Sequence, residues 1–117
     1  MGSPVVHFEI NSQNPVALFD FYRDLFDWQI QVDPEMGYGM VETKGSGING
    51  GIGPSRGPNQ VTFYIEVDDL PKVIARVEAA GGKIVVPITE IPGGVSFAQF
   101  ADPDGNVIGL LESGPQA

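Results

Sequence analysis

Apolar and polar residues alternate along residues 5–11 (VVHFEIN). Val6, Phe8 and Ile10 fall on one face; His7, Glu9 and Asn11 fall on the other. A period of two predicts a strand with one apolar side. The period then changes. Asn14-Pro15 supplies an N-cap and a first-turn residue, and Leu18, Phe21 or Tyr22, and Leu25 recur at helical spacing through Asp27. Three short strands are predicted next, over 28–32, 38–43 and the glycine-rich 47–53. A polar linker marked by proline and glycine (54–59, PSRGPN) follows.

The order then restarts. Residues 60–67 (QVTFYIEV) alternate as the first strand does, with Val61, Phe63 and Ile65 on the apolar face and Thr62, Tyr64 and Glu66 opposite. Asp69 caps a helix carrying Leu70, Val73, Ile74 and Val77, and Gly81-Gly82 stops it. Strands are predicted over 84–87, 94–101 and 106–112, the last two joined by Asp102-Pro103-Asp104-Gly105. That tetrapeptide suits a type I turn: Asp first, Pro presetting the second position, Gly last.

The pattern is therefore βαβββ twice: module one over about 4–53, the linker 54–59, and module two over about 60–113. Val6-His7-Phe8 aligns with Val61-Thr62-Phe63, and Asp27-Trp28-Gln29-Ile30 with Gly82-Lys83-Ile84-Val85. Such a repeat suggests two copies of one unit. The expected fold is α+β, one curved sheet around a cleft with both helices on its outer face. Val6, Phe8, Val61 and Phe63 are assigned to the helices, and His7, Glu9, Thr62 and Tyr64 to the cleft.

Composition narrows the chemistry. A chain of 117 residues fits a single domain. It has no cysteine, which excludes disulfides, zinc–thiolate sites and thiol nucleophiles. A net charge of −9 argues against nucleic acid and anionic membranes and suits a neutral or cationic small ligand. No apolar stretch approaches membrane-spanning length and no signal-peptide pattern opens the sequence, so the expected location is the cytoplasm. The glycines at 45, 47, 50, 51 and 53 follow no phosphate-loop context; close backbone approach or bulges explain them.

The paired βαβββ order, the phrase FYRDLFDW (21–28) and FADPDGNVIGLLE (100–112) resemble the vicinal oxygen chelate superfamily. That group includes glyoxalase I, extradiol dioxygenases, fosfomycin-resistance enzymes and bleomycin-resistance binding proteins. The resemblance covers essentially the whole chain. Asp27 departs from it, standing where the family commonly has glycine; Asp tolerates a left-handed backbone better than most residues.

The resemblance implies a divalent ion held by one His, Gln or Glu near the middle of the first and fourth strand of each module. The matching residues are His7, Thr62, Gly109 and Gly50, with Asn49 or Gly51 as alternatives to Gly50. Only His7 is a competent donor. Glu112 has the wrong parity to replace Gly109. Glu9, Glu42 and Gln99 could supply oxygens in a different register. The expectation is a member without metal ligands, needing no cofactor.

His7, Glu9, Thr62, Tyr64, Trp28, Glu42 and Gln99 are the candidate ligand-binding residues. His7 and Glu9 are candidate acid–base groups, and Tyr64 and Trp28 candidate aromatic walls for a flat or cationic ligand. For each there is a structural alternative: a solvated strand residue for His7, rim or core packing for Trp28. Tyr38 and Met40 could complete an apolar pocket, and only one of Phe97 and Phe100 can face the helices. Three functions compete: metal-free small-molecule binding by a homodimer, a metal-dependent lyase or dioxygenase, and a metal-free enzyme using His7 and Glu9 or a protein-interaction module.

Overall fold

The computed structural model describes residues 2–91 and 94–112. The expected end of module two at residue 113 lies outside them. The chain divides into two compact units, one of Val6–Thr62 and the other of the residues from Phe63 onward together with those through Val5.

The first unit takes up β1 (Val5–Ser12), α1 (Pro15–Phe26), β2 (Gln29–Asp33), β3 (Tyr38–Glu42) and β4 (Asn49–Pro54). Its strands lie in the order β2-β3-β4-β1. β1 runs parallel to β4, and the β2–β3 and β3–β4 pairs are antiparallel. The helix covers one face. Phe19 packs with Ile30, Val41 and Ile52, joined by Phe8, Ile10, Leu18, Tyr22 and Trp28. Residues 55–59 belong to this unit and tie back to the end of β1. The Ser55 amide donates to the Ser12 carbonyl, and the Gln13 amide to Asn59 Oδ1.

α1 ends at Asp27, whose backbone is left-handed (φ 57°, ψ 32°) and whose N–H donates to the Arg23 carbonyl. The Arg23 guanidinium then donates to the Ile30 carbonyl at 2.6 Å, fixing where β2 begins relative to the helix. Asn14 occupies the N-cap position, but its side chain makes no capping hydrogen bond. Pro15, which has no N–H to satisfy, leaves less for such a cap to do.

The second unit takes up α2 (Leu70–Ala79), β6 (Lys83–Ile91), β7 (Val95–Ala101) and β8 (Val107–Glu112) with β5 (Gln60–Val67) from Phe63 onward, in the order β5-β8-β7-β6. β5 and β8 are parallel; β8–β7 and β7–β6 are antiparallel. Val67, Leu70, Ala98 and Leu110 form its core with Ile65, Val73, Ile74 and Phe100. Phe100, not Phe97, is thus the helix-side residue of β7. Asp69 caps α2 by accepting from the Lys72 amide (3.2 Å), and Glu112 Oε2 accepts from the Leu70 amide (2.5 Å). Glu112 therefore points to the helix side, as its parity requires. Ile52 and Leu70 are the large side chains with no exposure; truncating either to Ala would cost about 2–5 kcal/mol.

The α+β class and the paired βαβββ order are as expected, with three corrections of detail. Val61 is 72% and Phe63 39% exposed, not covered by a helix. On β5 it is Ile65 and Val67 that join the core with Leu70, Val73 and Ile74 of the ten-residue α2. The partner of Asp27 in the repeat is Gly81, not Gly82. Ile30 pairs through Val41 and Gly50 to Phe8, as Ile84 pairs through Phe100 to Ile108 on β8. Gly81, like Asp27, has positive φ (98°). Finally, β6 runs past Pro87 to Ile91, with register shifts between Ile84 and Val86 and between Val86 and Thr89, the second spanning the proline. An outermost strand tolerates the missing N–H.

Candidate functional site

In the first unit, the face of the sheet away from α1 carries His7 and Glu9 on β1, Tyr38 and Met40 on β3, and Gly51 on β4. Glu9 pairs with Gly51, and Gly51 with Met40. Because β4 presents only hydrogen at Gly51, Tyr38 can lie flat across it. A Cβ added at Gly51 would sit 1.6 Å from the Tyr38 hydroxyl, and one at Gly53 would sit 2.7 Å from the Tyr38 ring. Tyr38 thereby spans β4 and donates to Glu9 Oε1 on β1 at 2.9 Å. His7 Nε2 stands 2.8 Å from the same oxygen and 3.3 Å from the Tyr38 hydroxyl. Asn11 Nδ2 is 3.5 Å from Glu9 Oε2. The carboxylate is the hub, 13% exposed at its side chain, while His7 is 27% exposed. An imidazole, a phenol and a carboxylate within hydrogen-bond reach of one another can hold a polar ligand or relay a proton.

The second unit repeats the device in the opposite direction. Tyr64 on β5 pairs with Gly109 on β8, and Gly109 with Gln99 on β7. The Tyr64 ring crosses over Gly109, where a Cβ would be 2.2 Å from Cδ2 and 2.6 Å from Cγ. On the far side Gln99 Nε2 donates to the Tyr64 hydroxyl at 2.9 Å, and Phe97 stands edge-on to the ring with centroids 6.4 Å apart. In both units a tyrosine from one flanking strand bridges a glycine in the middle strand to reach the other flank.

Of the residues singled out in the sequence, the structure brings His7 to Glu9 and Tyr64 to Gln99. Thr62 is buried on β5. Glu42 is exposed at the end of β3, paired with Gln29 and apart from the His7 group. Trp28 packs on the helix side. It stacks on Tyr22 (5.3 Å, 9°) and contacts Phe26 and Phe8, with centroids 5.6 and 5.4 Å away. Sequence reading gave Tyr38 only as part of an apolar pocket wall and placed Asn11 on the face of His7 and Glu9 without a role; neither was joined to the carboxylate. The signal for Tyr38 was the pair Gly51 and Gly53, two residues apart and so on one face, an opening that a neighbouring ring can fill.

Gly51 is also the register partner of Gly109: Glu9 faces Gly51 as Tyr64 faces Gly109, and Ile52 follows as Leu110 does. Gly50, the first choice from sequence, faces the helix side, where a Cβ would be 2.4 Å from the Phe8 carbonyl oxygen. The positions at which the resemblance implies metal ligands are thus His7, Thr62, Gly51 and Gly109. Among the described residues, no group of three or more His, Asp or Glu side chains could hold a metal ion. A hydroxyl, two glycines under tyrosine rings and one imidazole do not fit a divalent cation, which normally draws three or more protein donors.

The turn after β7 is built as its sequence requires. The Gly105 amide donates to the Asp102 carbonyl (2.8 Å), and Gly105 has φ 88°. The Asp102 carboxylate accepts from the Asn106 side chain and from the Asn106 and Asp104 amides, each at 2.9 Å. These bonds, the Asn106 side chain first, hold its pKa below the ordinary value. They make it a turn residue.

A family model described as Glyoxalase/Bleomycin resistance protein/Dioxygenase superfamily matches residues 5–110. CFP32 of Mycobacterium tuberculosis is 36% identical over 59 residues, which is 50% of this chain and 23% of CFP32. The anthracycline biosynthesis protein DnrV of Streptomyces peucetius is 27% identical over 97% of this chain and 48% of its own length. The chain thus spans less than half the length of either. Among solved structures, hypothetical protein BH1468 from Bacillus halodurans superposes with a TM-score of 0.72 at 13% identity, covering 100% of this chain and 99% of that one. Methylmalonyl-CoA epimerase from M. tuberculosis gives 0.69 at 14% identity, over 95% and 88%. At such identities the likeness shows a common fold. No helix among the described residues is long and apolar enough to cross a membrane.

Proposed function

The chain belongs to the Glyoxalase/Bleomycin resistance protein/Dioxygenase superfamily, and from that premise we propose that it binds a small molecule, without a divalent metal ion, at the sheet face carrying His7, Glu9 and Tyr38. The observation that carries this reading is the shared oxygen: Glu9 Oε1 holds His7 at 2.8 Å and Tyr38 at 2.9 Å, with the imidazole partly open to solvent. A largely covered carboxylate fixed by two partners is a preorganised polar anchor. The surrounding surface is apolar through Met40, which is 63% exposed. The net charge of −9 favours a neutral or cationic compound. The names of the similar proteins range from anthracycline biosynthesis protein to methylmalonyl-CoA epimerase, so they leave the ligand to experiment.

A thermal-shift screen of cationic and aromatic compounds tests the reading. A ligand at 100 times its Kd adds about 2.7 kcal/mol, a rise in Tm on the order of 10 °C for a domain of this size. The rise is expected in the native protein and strongly reduced in Glu9→Gln and Tyr38→Phe. Hits that bind both variants as well as the native protein would refute the site.

The same triad supports a second reading, proton transfer at a bound substrate without a metal. Its mark is solvent deuterium entering the substrate in the native protein and not in Glu9→Gln at substrate concentrations raised to restore occupancy.

A further inference from the structure

We infer that Tyr38 and Tyr64 occupy the space that metal-using members of the superfamily give to a ligand on the fourth strand of each module. The fold's metal positions have been converted into hydrogen-bonding bridges. This goes beyond the binding reading, with which it shares the absence of a bound metal ion.

Three observations carry it. The two glycines are register equivalents, and each lies under a tyrosine ring with no room for a Cβ: 1.6 Å to Tyr38 Oη at Gly51 and 2.2 Å to Tyr64 Cδ2 at Gly109. Each phenol has a defined partner on the far strand, Glu9 in one unit and Gln99 in the other. And the rings arrive from opposite sides. Tyr38 comes from β3 and reaches β1, whereas Tyr64 comes from β5, the equivalent of β1, and reaches β7. The two bridges are thus built from non-equivalent strands and are not one contact repeated in both modules.

The consequence for chemistry is specific. In the first unit His7 and Glu9 keep the parity of metal ligands, yet they are engaged with each other and with Tyr38. Restoring a carboxylate at Gly51 would not by itself rebuild a site, because its Cβ falls within the tyrosine. Removing the ring as well would leave an imidazole and two carboxylates on adjacent strands, the minimum of three donors.

The test is metal content. Native protein, His7→Ala, Gly51→Glu and the double variant Tyr38→Ala/Gly51→Glu are each incubated with Zn(II), Ni(II), Mn(II) or Co(II), dialysed and submitted to elemental analysis, with the Co(II) visible spectrum as a second readout. The expected result is far less than one ion per chain in the native protein, His7→Ala and Gly51→Glu. The double variant is expected to take up an ion and show a Co(II) band. Near-stoichiometric metal in the native protein, lost in His7→Ala, would overturn the inference. So would equal uptake by Gly51→Glu and the double variant, or a folded double variant that binds none. If the double variant does not fold, Tyr38→Ala/Gly51→Asp, with the shorter side chain, takes its place and is expected to bind the ion where Gly51→Asp alone does not. A metal-free native protein with no thermal-shift hits would fail the binding reading alone, and a folded double variant that binds no metal, beside a native protein with hits, would fail this inference alone.

Discussion

Gly109→Ala isolates the tyrosine bridge as a physical object. Gly109 has no positive φ, so alanine can adopt its backbone, and stiffening the unfolded chain would by itself stabilise by about 0.4–1 kcal/mol. Against this, the new Cβ would be 2.6 Å from Tyr64 Cγ. Cγ is the root of the ring, so the clash is not relieved by swinging a flexible tip; χ1 must change, and Tyr64 is only 7% exposed. Overpacking of this kind costs about 1–3 kcal/mol, and the displaced hydroxyl loses its bond from Gln99, about 1 kcal/mol. The net expectation is a loss of about 2–3 kcal/mol in denaturant unfolding. In a Tyr64→Ala background the obstacle is gone, and Gly109→Ala should be near neutral. The double-mutant cycle should therefore show a coupling of about 2 kcal/mol, within the range seen for touching residues. A Gly109→Ala protein as stable as the native one, or one equally destabilised with and without Tyr64, would refute the reasoning.

Three further outcomes follow from other parts of the fold. Asp27→Gly should stabilise by up to about 1 kcal/mol, because a non-glycine residue holds φ 57° at the end of α1; a loss of stability on chemical denaturation would contradict this. Glu112→Ala should cost about 1 kcal/mol by removing the charged acceptor from the Leu70 amide at the start of α2, while Glu112→Gln, which keeps an oxygen, should cost less. Asn106→Ala should raise the Asp102 pKa toward the ordinary carboxylate value, read by NMR titration of its carboxyl carbon. Since the folded pKa is depressed, the stability it contributes is present above the unfolded value near pH 4 and lost as pH falls through the folded one; the variant, which keeps the backbone hydrogen bonds, should show a smaller acid-range loss.

Alternation was enough to place His7 and Glu9 on one face and Phe8 and Ile10 on the other, because a strand's side chains obey a strict period of two. The Asp102–Gly105 turn and the helix stop at Gly81 were equally legible, since local backbone chemistry sets them. What sequence could not supply was reach. Whether a helix extends far enough to cover a whole strand depends on its length and tilt, and Phe63 is left 39% exposed. Trp28 has no periodicity of its own, and its place was decided by the Tyr22 and Phe26 rings across the helix end. Tyr38 was visible only as a neighbour of the pocket. Its hydrogen bond to Glu9 crosses an intervening strand, and nothing local to residue 38 encodes that. The choice between Gly50 and Gly51 turned on one residue of register in a run of glycines, where no side-chain pattern distinguishes the faces.

The central claim, that a small ligand is held by His7, Glu9 and Tyr38, is tested most directly by NMR mapping of a compound selected by thermal shift. The account predicts saturable shifts of the His7 and Tyr38 ring resonances and of the Glu9 carboxyl carbon, with amides along β6 unmoved, and loss of the response in Glu9→Gln. Saturable binding that leaves those three side chains unperturbed would contradict it.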